Sequence, residues 1–353
     1  LARAAAQRAV HDPGAPIDAF ALETMGHVPD FAAAGDPFAG RRISASELEA
    51  LGACPTRWFY GYLLRARPPQ DAQFEPFAWL DARRQGDVLH AVFERVGREV
   101  IAGALDLRDR EPATARALAL LDDRLADVAR ELPPPSDWIR DVERDALAET
   151  LRRWVAAEGE ALADGATWLE VEADIDGRTV RLGDVDVAVR GRIDRVDRLP
   201  DGSLRVVDYK TTRRGASKYF GKDGRHLRGG RLVQPLLYAL ALAAARGAPV
   251  GAFEYRFPFA GPPFGTRRLD AATLDAAATR LVPTLVAQLR TGAFLPTDDD
   301  ADCGWCDAAD ICRNRSEGFG TSAPRAAWTK ARVAGDEPLL VPLVRRRAGE
   351  ALA

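Results

Sequence analysis

The sequence predicts an α/β fold in which helices flank a sheet, and two observations support this prediction. The first is a change of hydrophobic period. Residues 86–100 place apolar side chains at helical spacing, whereas residues 170–189 alternate with the period of two that is typical of strands. The second is a further strand pattern at 253–259, which lies between two apolar helical patterns. We therefore expect a sheet that is built mainly from the second half of the chain.

The composition of the 353 residues is that of an ordinary globular protein, with 47% hydrophobic and 29% charged residues. The net charge of −3 creates no global basic field, so any nucleic-acid-binding surface must be local. The longest apolar run, at 232–245, is too short to span a bilayer. We expect no membrane partner and a cytoplasmic location.

Residues 1–40 are rich in Ala, Asp, Gly and Pro without a sustained period, which is typical of a linker or of the tail of a preceding domain. The chain starts at Leu1 and its only methionine is Met25, so we expect a piece of a longer polypeptide. One domain is predicted at residues 41–315, followed by a loosely patterned C-terminal tail at 316–353.

Helical signals precede the sheet. Ser44 and Glu47 form a capping-box pattern at the start of a short helix. From Gly86 an amphipathic helix carries His90 beside its apolar face, where a lone histidine is more often structural than a metal ligand. Helical patterns then dominate residues 98–165, which we interpret as a helical insertion between His90 and the sheet.

Two predicted strands bring carboxylates together. Asp194 lies on one strand and Asp208 at the end of the next, and the Asp-Gly turn signal at 201–202 joins them as an antiparallel hairpin. Lys210 follows Asp208 by two residues and therefore points to the same side, whereas Tyr209 faces away with its carbonyl available to a metal. Charge at the end of an apolar strand needs a counter-ion, a metal or a substrate.

This combination of residues suits phosphodiester hydrolysis. The reaction needs a metal ion that polarises the phosphate, an activated water and a cation that stabilises the developing negative charge. Two carboxylates and an imidazole can hold Mg²⁺ or Mn²⁺. Lys210 is the candidate for the cation.

A basic, glycine-rich segment follows Lys210, and we interpret it as phosphate-binding, although such segments are often simply solvated. Its candidate DNA-binding residues are Arg213, Arg214, Lys218, Lys222, Arg225, Arg228 and Arg231. A helix predicted from about 232 to 245 follows, and Gln234 and Tyr238 lie one turn apart in it. A glutamine in a helix that is apolar nearly all round needs a polar partner.

Four motifs together resemble those of a known family. In chain order they are Gly86-Asp87-Val88-Leu89-His90, Gly191-Arg192-Ile193-Asp194-Arg195-Val196-Asp197, Asp208-Tyr209-Lys210-Thr211 and Gln234-Pro235-Leu236-Leu237-Tyr238. Asp194 and Asp208-Tyr209-Lys210 resemble the D…(D/E)-x-K core of the PD-(D/E)XK nuclease superfamily, and the order of all four is similar to that in RecB-type nuclease domains. The resemblance covers about residues 41–315 and implies a restriction-endonuclease-like core with a mixed central sheet.

The resemblance also implies roles for the matching residues. His90, Asp194, Asp208 and the carbonyl of Tyr209 would ligate Mg²⁺ or Mn²⁺. Lys210 would orient or activate the attacking water and stabilise the transition state.

Three further positions are less firmly matched. The resemblance implies that Gln234 and Tyr238 contact DNA or support the site. The family also has an acidic position on the strand before the core, which Glu172 matches loosely and for which Glu170 competes.

The four cysteines form a second candidate site. Cys303, Cys306 and Cys312 have the spacing C-x2-C-x5-C, and Cys54 lies far upstream. In a reducing compartment, cysteines are metal ligands or core residues more often than disulfides. The pattern resembles the iron–sulfur staple of AddB-type nucleases, which implies a structural [4Fe–4S] cluster that ties the two ends of the domain together. Structural zinc also suits four thiolates and is the less favoured alternative.

The function that the resemblance implies is that of a metal-dependent DNA nuclease, an exonuclease acting on DNA ends or single strands in repair and recombination. Such domains commonly form the C-terminal part of helicase-nuclease subunits, so a helicase subunit or an upstream helicase domain is the expected partner, and a stand-alone nuclease is the alternative. The alternatives are a non-catalytic DNA-binding module and a scaffold subunit of a helicase-nuclease complex. Intact Asp194, Asp208 and Lys210 favour catalysis.

Overall fold

The computed structural model describes residues 26–28, 30–31, 38–66, 77–162, 164–211, 219, 227–259, 265–304, 306–312 and 329–330. Most of the predicted linker at 1–40 and of the predicted tail at 316–353 lies outside these ranges. Among the described residues, no helix is both long enough and apolar enough to cross a membrane.

Two mixed sheets form the centre of the fold. The larger has five strands in the order β2-β5-β6-β7-β8, in which only β6 and β7 run parallel. Its strands are β2 Thr167–Asp174, β5 Arg192–Arg198, β6 Leu204–Tyr209, β7 Val250–Phe257 and β8 Gly265–Asp270. The smaller has the order β1-β4-β3, with β1 Arg42–Ser44, β3 Thr179–Leu182 and β4 Val185–Arg190. A mixed central sheet flanked by helices confirms the predicted α/β, restriction-endonuclease-like fold.

The helices follow the predicted order with small changes at their ends. The short N-terminal helix is capped by Ser44, whose hydroxyl accepts from Glu47 N at 3.2 Å as the capping pattern predicts. The helix predicted from Gly86 begins four residues earlier, because Asp81 caps it. The helices are α1 Ala45–Ala53, α2 Pro55–Trp58, α3 Ala82–Ile101, α4 Arg110–Glu131, α5 Asp137–Leu162, α6 Gln234–Arg246, α7 Ala271–Arg290, α8 Asp300–Cys303 and α9 Ala309–Cys312.

The five-stranded sheet is buried on both faces, which explains why its central strand is buried throughout. One face packs with α1, α6 and α7 in a core that includes Val206. The opposite face packs with α3, α4 and α5 in a second core that includes Val207. On this face α3 packs on β2 and α5 reaches β5 through Glu158, whereas α4 packs on α3 and α5. The hairpin of β5 and β6 lies between the two cores.

Candidate active site

The antiparallel hairpin of β5 and β6 holds the two predicted carboxylates next to each other. The Asp-Gly turn signal lies between the strands as expected, with Arg195 opposite Val207. The backbone N–H of Tyr209 donates to Asp194 Oδ2 at 2.7 Å, so the end of β6 fixes the carboxylate of β5. Asp208, the residue before Tyr209, is only 3% exposed. The predicted convergence of the two carboxylates is therefore present.

Gln234 joins Asp208 to Lys210. Its amide Nε2 donates to Asp208 Oδ1 at 2.7 Å, and its Oε1 accepts from Lys210 Nζ at 2.8 Å and from the Tyr255 hydroxyl at 3.3 Å. Lys210 Nζ also lies 2.7 Å from Asp208 Oδ2. The polar partners that a glutamine in an apolar helix requires are thus the two strand-end residues. One amide orients both the carboxylate and the ammonium group.

His90, Glu172 and Asp194 form a candidate metal group. Each contributes one ligand atom, and the three atoms all lie within 4.8 Å of one another; no other such group occurs in the chain as far as it is described. His90 Nδ1 lies 3.6 Å from Asp194 Oδ1. One imidazole nitrogen and two carboxylate oxygens are donors that suit Mn²⁺ and, with water, Mg²⁺.

The backbone of β2 selects Glu172 rather than Glu170 for this group. Glu170 forms an ion pair with Arg246 at the protein surface. Glu172 has a φ of 52°, which residues other than glycine rarely adopt, and it follows a shift in the register of β2 between Trp168 and Glu170. Backbone strain of this kind is kept where the surrounding structure enforces it. Here it accompanies a carboxylate that the metal group uses.

The electrostatics of the group fit a divalent cation. Burial raises the pKa of Asp194 well above its usual value, and the nearby charge of Asp208 raises it further. Burial lowers the pKa of His90, which favours the neutral imidazole that binds metals. Burial also raises the pKa of Glu172. A cation bound here would neutralise the negative charge of Asp194 and Glu172, which the protein's own positive charges offset only in part.

The predicted ligands Asp208 and Tyr209 occupy different positions relative to this group. A hydrogen bond with the Tyr209 backbone contributes to the protonation equilibrium of His90, so this peptide lies beside the imidazole. Both oxygens of Asp208 face Gln234 and Lys210 instead. The structure thus brings His90, Asp194 and the Tyr209 peptide together, and metal ligation by Asp208 stays a prediction.

A close approach of α3 to the end of β6 places His90. Gly86 lies one turn before His90 on α3, and a Cβ at Gly86 would lie 2.8 Å from Thr211 Oγ1. A larger side chain at this position would push the helix away from the strand end. The glycine of the first motif therefore has a packing role in the site.

The back of the sheet carries a closed ring of six buried charges. Three arginines and three carboxylates alternate, and each is at most 6% exposed. In order around the ring they are Glu158, Arg195, Asp197, Arg205, Glu254 and Arg256, with Arg256 returning to Glu158. The charges balance within the ring, which satisfies the requirement that buried ions be paired. Arg195 also stacks over the ring of Trp168, with its Cζ 3.9 Å from the centroid.

Tyr209 connects this charged ring to the site. Its hydroxyl donates to Glu158 Oε1 at 3.0 Å and accepts from Arg195, while its backbone N–H binds Asp194 on the other side. Burial alone would raise the pKa of Glu158, but Arg195 and Arg256 outweigh it and lower the pKa to about 2. Glu158 is therefore ionised and holds the side chain of Tyr209 from α5.

The remaining predicted site residues lie in different parts of the structure or outside the described residues. Arg213, Arg214, Lys218, Lys222 and Arg225 lie outside the described residues. Arg231 pairs with Asp302 at 2.7 Å and with Asp299 at 3.0 Å, so its charge already has acidic partners. Arg228 lines a cleft beside Lys210, and Tyr238 lies in the same cleft wall next to Gly191.

The four cysteines line one cavity, although about 250 residues separate Cys54 from the other three in the sequence. None is in a disulfide. Burial raises the pKa of Cys54 to about 11 and that of Cys303 to about 12, so these thiols stay protonated unless a cation compensates the thiolate. Near the cavity, the Thr56 hydroxyl donates to the Phe294 carbonyl at 2.6 Å. The two ends of the domain therefore meet at this cavity, as the sequence predicts.

A protein-family model described as the PD-(D/E)XK nuclease superfamily matches residues 42–313. This chain belongs to the PD-(D/E)XK nuclease superfamily. The match spans the metal group, the β5–β6 hairpin and the cysteine cavity. Nucleases of this superfamily use Mg²⁺ or Mn²⁺, in agreement with the donor set of His90, Glu172 and Asp194.

One curated relative is an ATP-dependent helicase/deoxyribonuclease subunit of Symbiobacterium thermophilum. It is 33% identical over an alignment 222 residues long, which covers 56% of this chain and 17% of that protein. The chain thus matches only about a sixth of the relative. Among solved structures, the crystal structure of SSO0001 has 15% sequence identity and a TM-score of 0.32, and covers 77% of this chain and 86% of that chain. At this TM-score the similarity carries no argument.

Two residues of the site could not be chosen from sequence. Glu172 and Glu170 are both acidic residues of one predicted strand, and only the register shift in β2 separates them. Glu158 lies in the helical insertion, where no chemistry is predicted, and its contact with Arg195 joins residues 37 apart. A useful signal for Glu158 is a carboxylate on an otherwise apolar helix face, next to Trp154 and Val155.

Proposed function

We propose that this protein is a metal-dependent deoxyribonuclease that hydrolyses phosphodiesters at DNA ends or in single strands. The observation that carries the proposal is the convergence of His90, Glu172 and Asp194 beside Lys210, at the end of the family's central strand pair. A non-catalytic DNA-binding module would have no use for such a costly concentration of partly buried acid groups. The same argument disfavours a pure scaffold subunit.

The divalent ion would be Mg²⁺ or Mn²⁺, held by His90, Asp194 and Glu172, with Asp208 and the Tyr209 carbonyl as further ligands implied by the family. When bound, it would polarise the scissile phosphate and lower the pKa of a water. Neutral His90 and ionised carboxylates are the forms that bind a metal, and a cation favours both. Asp194 is held for this role by the Tyr209 N–H.

Lys210 supplies the positive charge for the phosphate in the transition state. Its ammonium group is fixed by Asp208 and Gln234, so it needs no reorganisation when the negative charge develops. Asp208 raises the pKa of Lys210 against the lowering effect of burial, so the amine remains protonated. Lys210 thus stabilises the transition state electrostatically and orients the water. It does not need to lose its proton and act as a base.

The cysteine cavity is proposed to hold a structural [4Fe–4S] cluster. The support for a shared metal centre is that all four cysteines line one cavity. Structural zinc, which four thiolates also suit, stays the less favoured alternative. Either centre would join the segment before the nuclease core to the segment after it.

We further propose that the protein acts as an exonuclease in DNA repair and recombination, in the cytoplasm and together with a helicase. It is supported by the similarity to part of a helicase/deoxyribonuclease subunit. Because only 17% of that protein is matched, helicase activity would have to come from another segment or from a separate protein.

The proposal is tested with 5′-labelled and 3′-labelled DNA, single- and double-stranded, with divalent metal removed and then restored. The expected result is cleavage only after Mg²⁺ or Mn²⁺ is restored, with stepwise products that reveal the end from which degradation starts. Uncut DNA under all metal conditions, with retained DNA binding, would instead support the DNA-binding module. A linear product of a closed circular substrate would identify an endonuclease.

A further inference from the structure

A cleft of about 470 Å³ opens beside Lys210 and Gln234. The metal group does not explain the function of most residues in the wall of this cleft. His90, Glu172 and Asp194 do not line it, so the cleft borders Lys210 without containing the metal group. Three tyrosine side chains line it together with polar and cationic residues. The residues used below are Ser44, Ser46, Glu49, Arg190, Arg228 and Tyr238.

The beginning of α1 forms part of the wall of this cleft. Ser44 is the cap residue of this nine-residue helix, and Ser46 is an exposed residue of its first turn. Helix N-termini present backbone N–H groups and a partial positive charge, which favours anions. In the parallel pair of β1 and β4, Arg190 is the register partner of Ser44, so a guanidinium group accompanies the helix N-terminus.

Arg190 is a cation available to a ligand. It is exposed, and within the described part of the chain it forms no salt bridge. Its charge reaches Glu47, but Glu47 is already paired with Arg41 at 2.5 Å. Arg228 adds a second positive charge to the same cleft. The wall therefore combines a helix N-terminus with Arg190 and Arg228, and a third arginine in the wall, Arg231, is already paired with Asp299 and Asp302.

The one carboxylate in this wall does not offset these charges. Glu49 accepts from the backbone N–H groups of Val233 and Gln234 at 2.9 and 3.0 Å, which are the orphan donors at the start of α6. Burial also raises the pKa of Glu49, which weakens its tendency to ionise. Its function is to cap α6 and so to place Gln234.

Tyr238 and Gly191 connect the anion-binding wall to the catalytic residues. A Cβ at Gly191 would lie 3.1 Å from the ring of Tyr238, so the chain passes against the tyrosine directly after Arg190. Three residues further along β5 is Asp194. Lys210 lines the cleft and also pairs with Asp208, so a strand of nucleic acid with one phosphate at the metal group can extend past this lysine into the cleft.

We propose that the cleft binds the substrate phosphate next to the scissile one, through Arg190, Ser46 and the first turn of α1. This inference rests on the proposed nuclease function and specifies how its substrate is held. The ligand class is the phosphodiester backbone of a single strand, and the contacts carry no base specificity. The cleft sets the position of the strand, and the metal group acts on the phosphate beside it.

The test is binding of a fluorescent single-stranded oligonucleotide to the full chain in EDTA, at several salt concentrations. Two pairs of variants are compared. Arg190→Ala is paired with Arg198→Ala, because both arginines are exposed last residues of strands without a salt bridge in the described chain. Ser46→Asp is paired with Ala272→Asp, because both residues are exposed second positions of helices, where an added carboxylate stabilises the helix.

Arg190→Ala loses one charge-assisted contact, and Ser46→Asp places a carboxylate beside the phosphate. Each variant is expected to weaken binding about tenfold at low salt. For Arg190→Ala, the slope of log K against log salt should decrease in magnitude by about 0.7, the value for one phosphate contact on a single strand. Arg198→Ala and Ala272→Asp should match the wild-type protein. With Mg²⁺ restored, Arg190→Ala should raise KM and leave kcat nearly unchanged.

Equal salt slopes for Arg190→Ala and Arg198→Ala, or equal affinities for Ser46→Asp and Ala272→Asp, would overturn the phosphate site. Either result can occur while the wild-type protein still cuts DNA, so it would leave the nuclease function intact. Conversely, a wild-type protein that binds but never cuts would refute the nuclease proposal, and the slope comparison in EDTA would still report on the cleft.

Discussion

Tyr209 N donates to Asp194 Oδ2 at 2.7 Å, so the peptide that precedes Lys210 directly orients a carboxylate of the metal group. On the other face of the sheet the hydroxyl of Tyr209 binds Glu158 of α5. One residue of β6 is therefore held by its backbone at the candidate metal centre and by its side chain within the charged ring. The helical insertion and the site are mechanically connected through this tyrosine.

Asp194→Asn is expected to abolish Mn²⁺ binding and to stabilise the metal-free protein at neutral pH. The pKa of Asp194 is raised by burial and by Asp208, so the folded state binds a proton more tightly there than the unfolded state. Ionised Asp194 thus costs stability, and its contribution improves as the pH falls. Calorimetric Mn²⁺ titration and urea unfolding would check both expectations. Exposed Asp186→Asn, which should change neither, is the control.

Glu172→Gln is expected to weaken Mn²⁺ binding at least tenfold, whereas Glu170→Gln should leave it unchanged. Only Glu172 places an oxygen within 4.8 Å of the ligand atoms of His90 and Asp194, while Glu170 pairs with Arg246. Both variants are measured by the same Mn²⁺ titration. If Glu170→Gln is the weaker binder, the register of β2 in this account is wrong.

Glu158→Gln is expected to lower the free energy of unfolding by about 3–5 kcal/mol, because it leaves Arg195 and Arg256 with uncompensated buried charge. The control is Glu160→Gln on the same helix, whose exposed pair with Arg110 should contribute less than about 1 kcal/mol. Urea unfolding at neutral pH measures both.

The same variant has a pH signature. The pKa of Glu158 is lowered to about 2, so its contribution to stability is complete above the unfolded value near 4.5 and is lost as the pH falls towards 2. Glu158→Gln should therefore flatten the acid limb of the stability profile between these two values. An unchanged acid limb would show that Glu158 is not ionised in the folded protein.

Anaerobically purified protein is expected to be brown and to contain iron and sulfide, and Cys54→Ser should remove both and lower the melting temperature. Cys54 is buried and lines the same cavity as the C-terminal cysteines, so its loss would break the connection between the two ends of the domain. Metal analysis and visible absorption would check this. A colourless protein that contains zinc would replace the cluster with the alternative site.

The sequence could predict the parts of the site that depend on local geometry. The Asp-Gly turn fixes the pairing of Asp194 with the end of β6, and the period of two places Lys210 on the side of Asp208. Gln234 could be recognised as a polar residue in need of partners, because its helix is otherwise apolar. Each of these inferences uses residues within one element or one hairpin.

The other features of the site depend on tertiary contacts, which the hydrophobic periodicity of the sequence does not encode. Alternating charges at Arg195 and Asp197 would normally face solvent, yet α5 covers them and Glu158 completes their ring. The choice of Glu172 required a register shift and a positive φ in β2. The predicted basic segment contributed Arg228 and Arg231 to the cleft wall, and the charge of Arg231 is paired with Asp299 and Asp302.

The most direct test of the account is single-turnover cleavage of a labelled single-stranded oligonucleotide in Mg²⁺ by the wild-type protein and by Lys210→Met. The account predicts metal-dependent cleavage by the wild-type protein and a rate roughly 10²–10³-fold lower for Lys210→Met, with DNA binding retained. Exposed Lys330→Met should cleave at the wild-type rate. Cleavage by Lys210→Met at the wild-type rate, or cleavage that persists without a divalent metal, would contradict the proposed site.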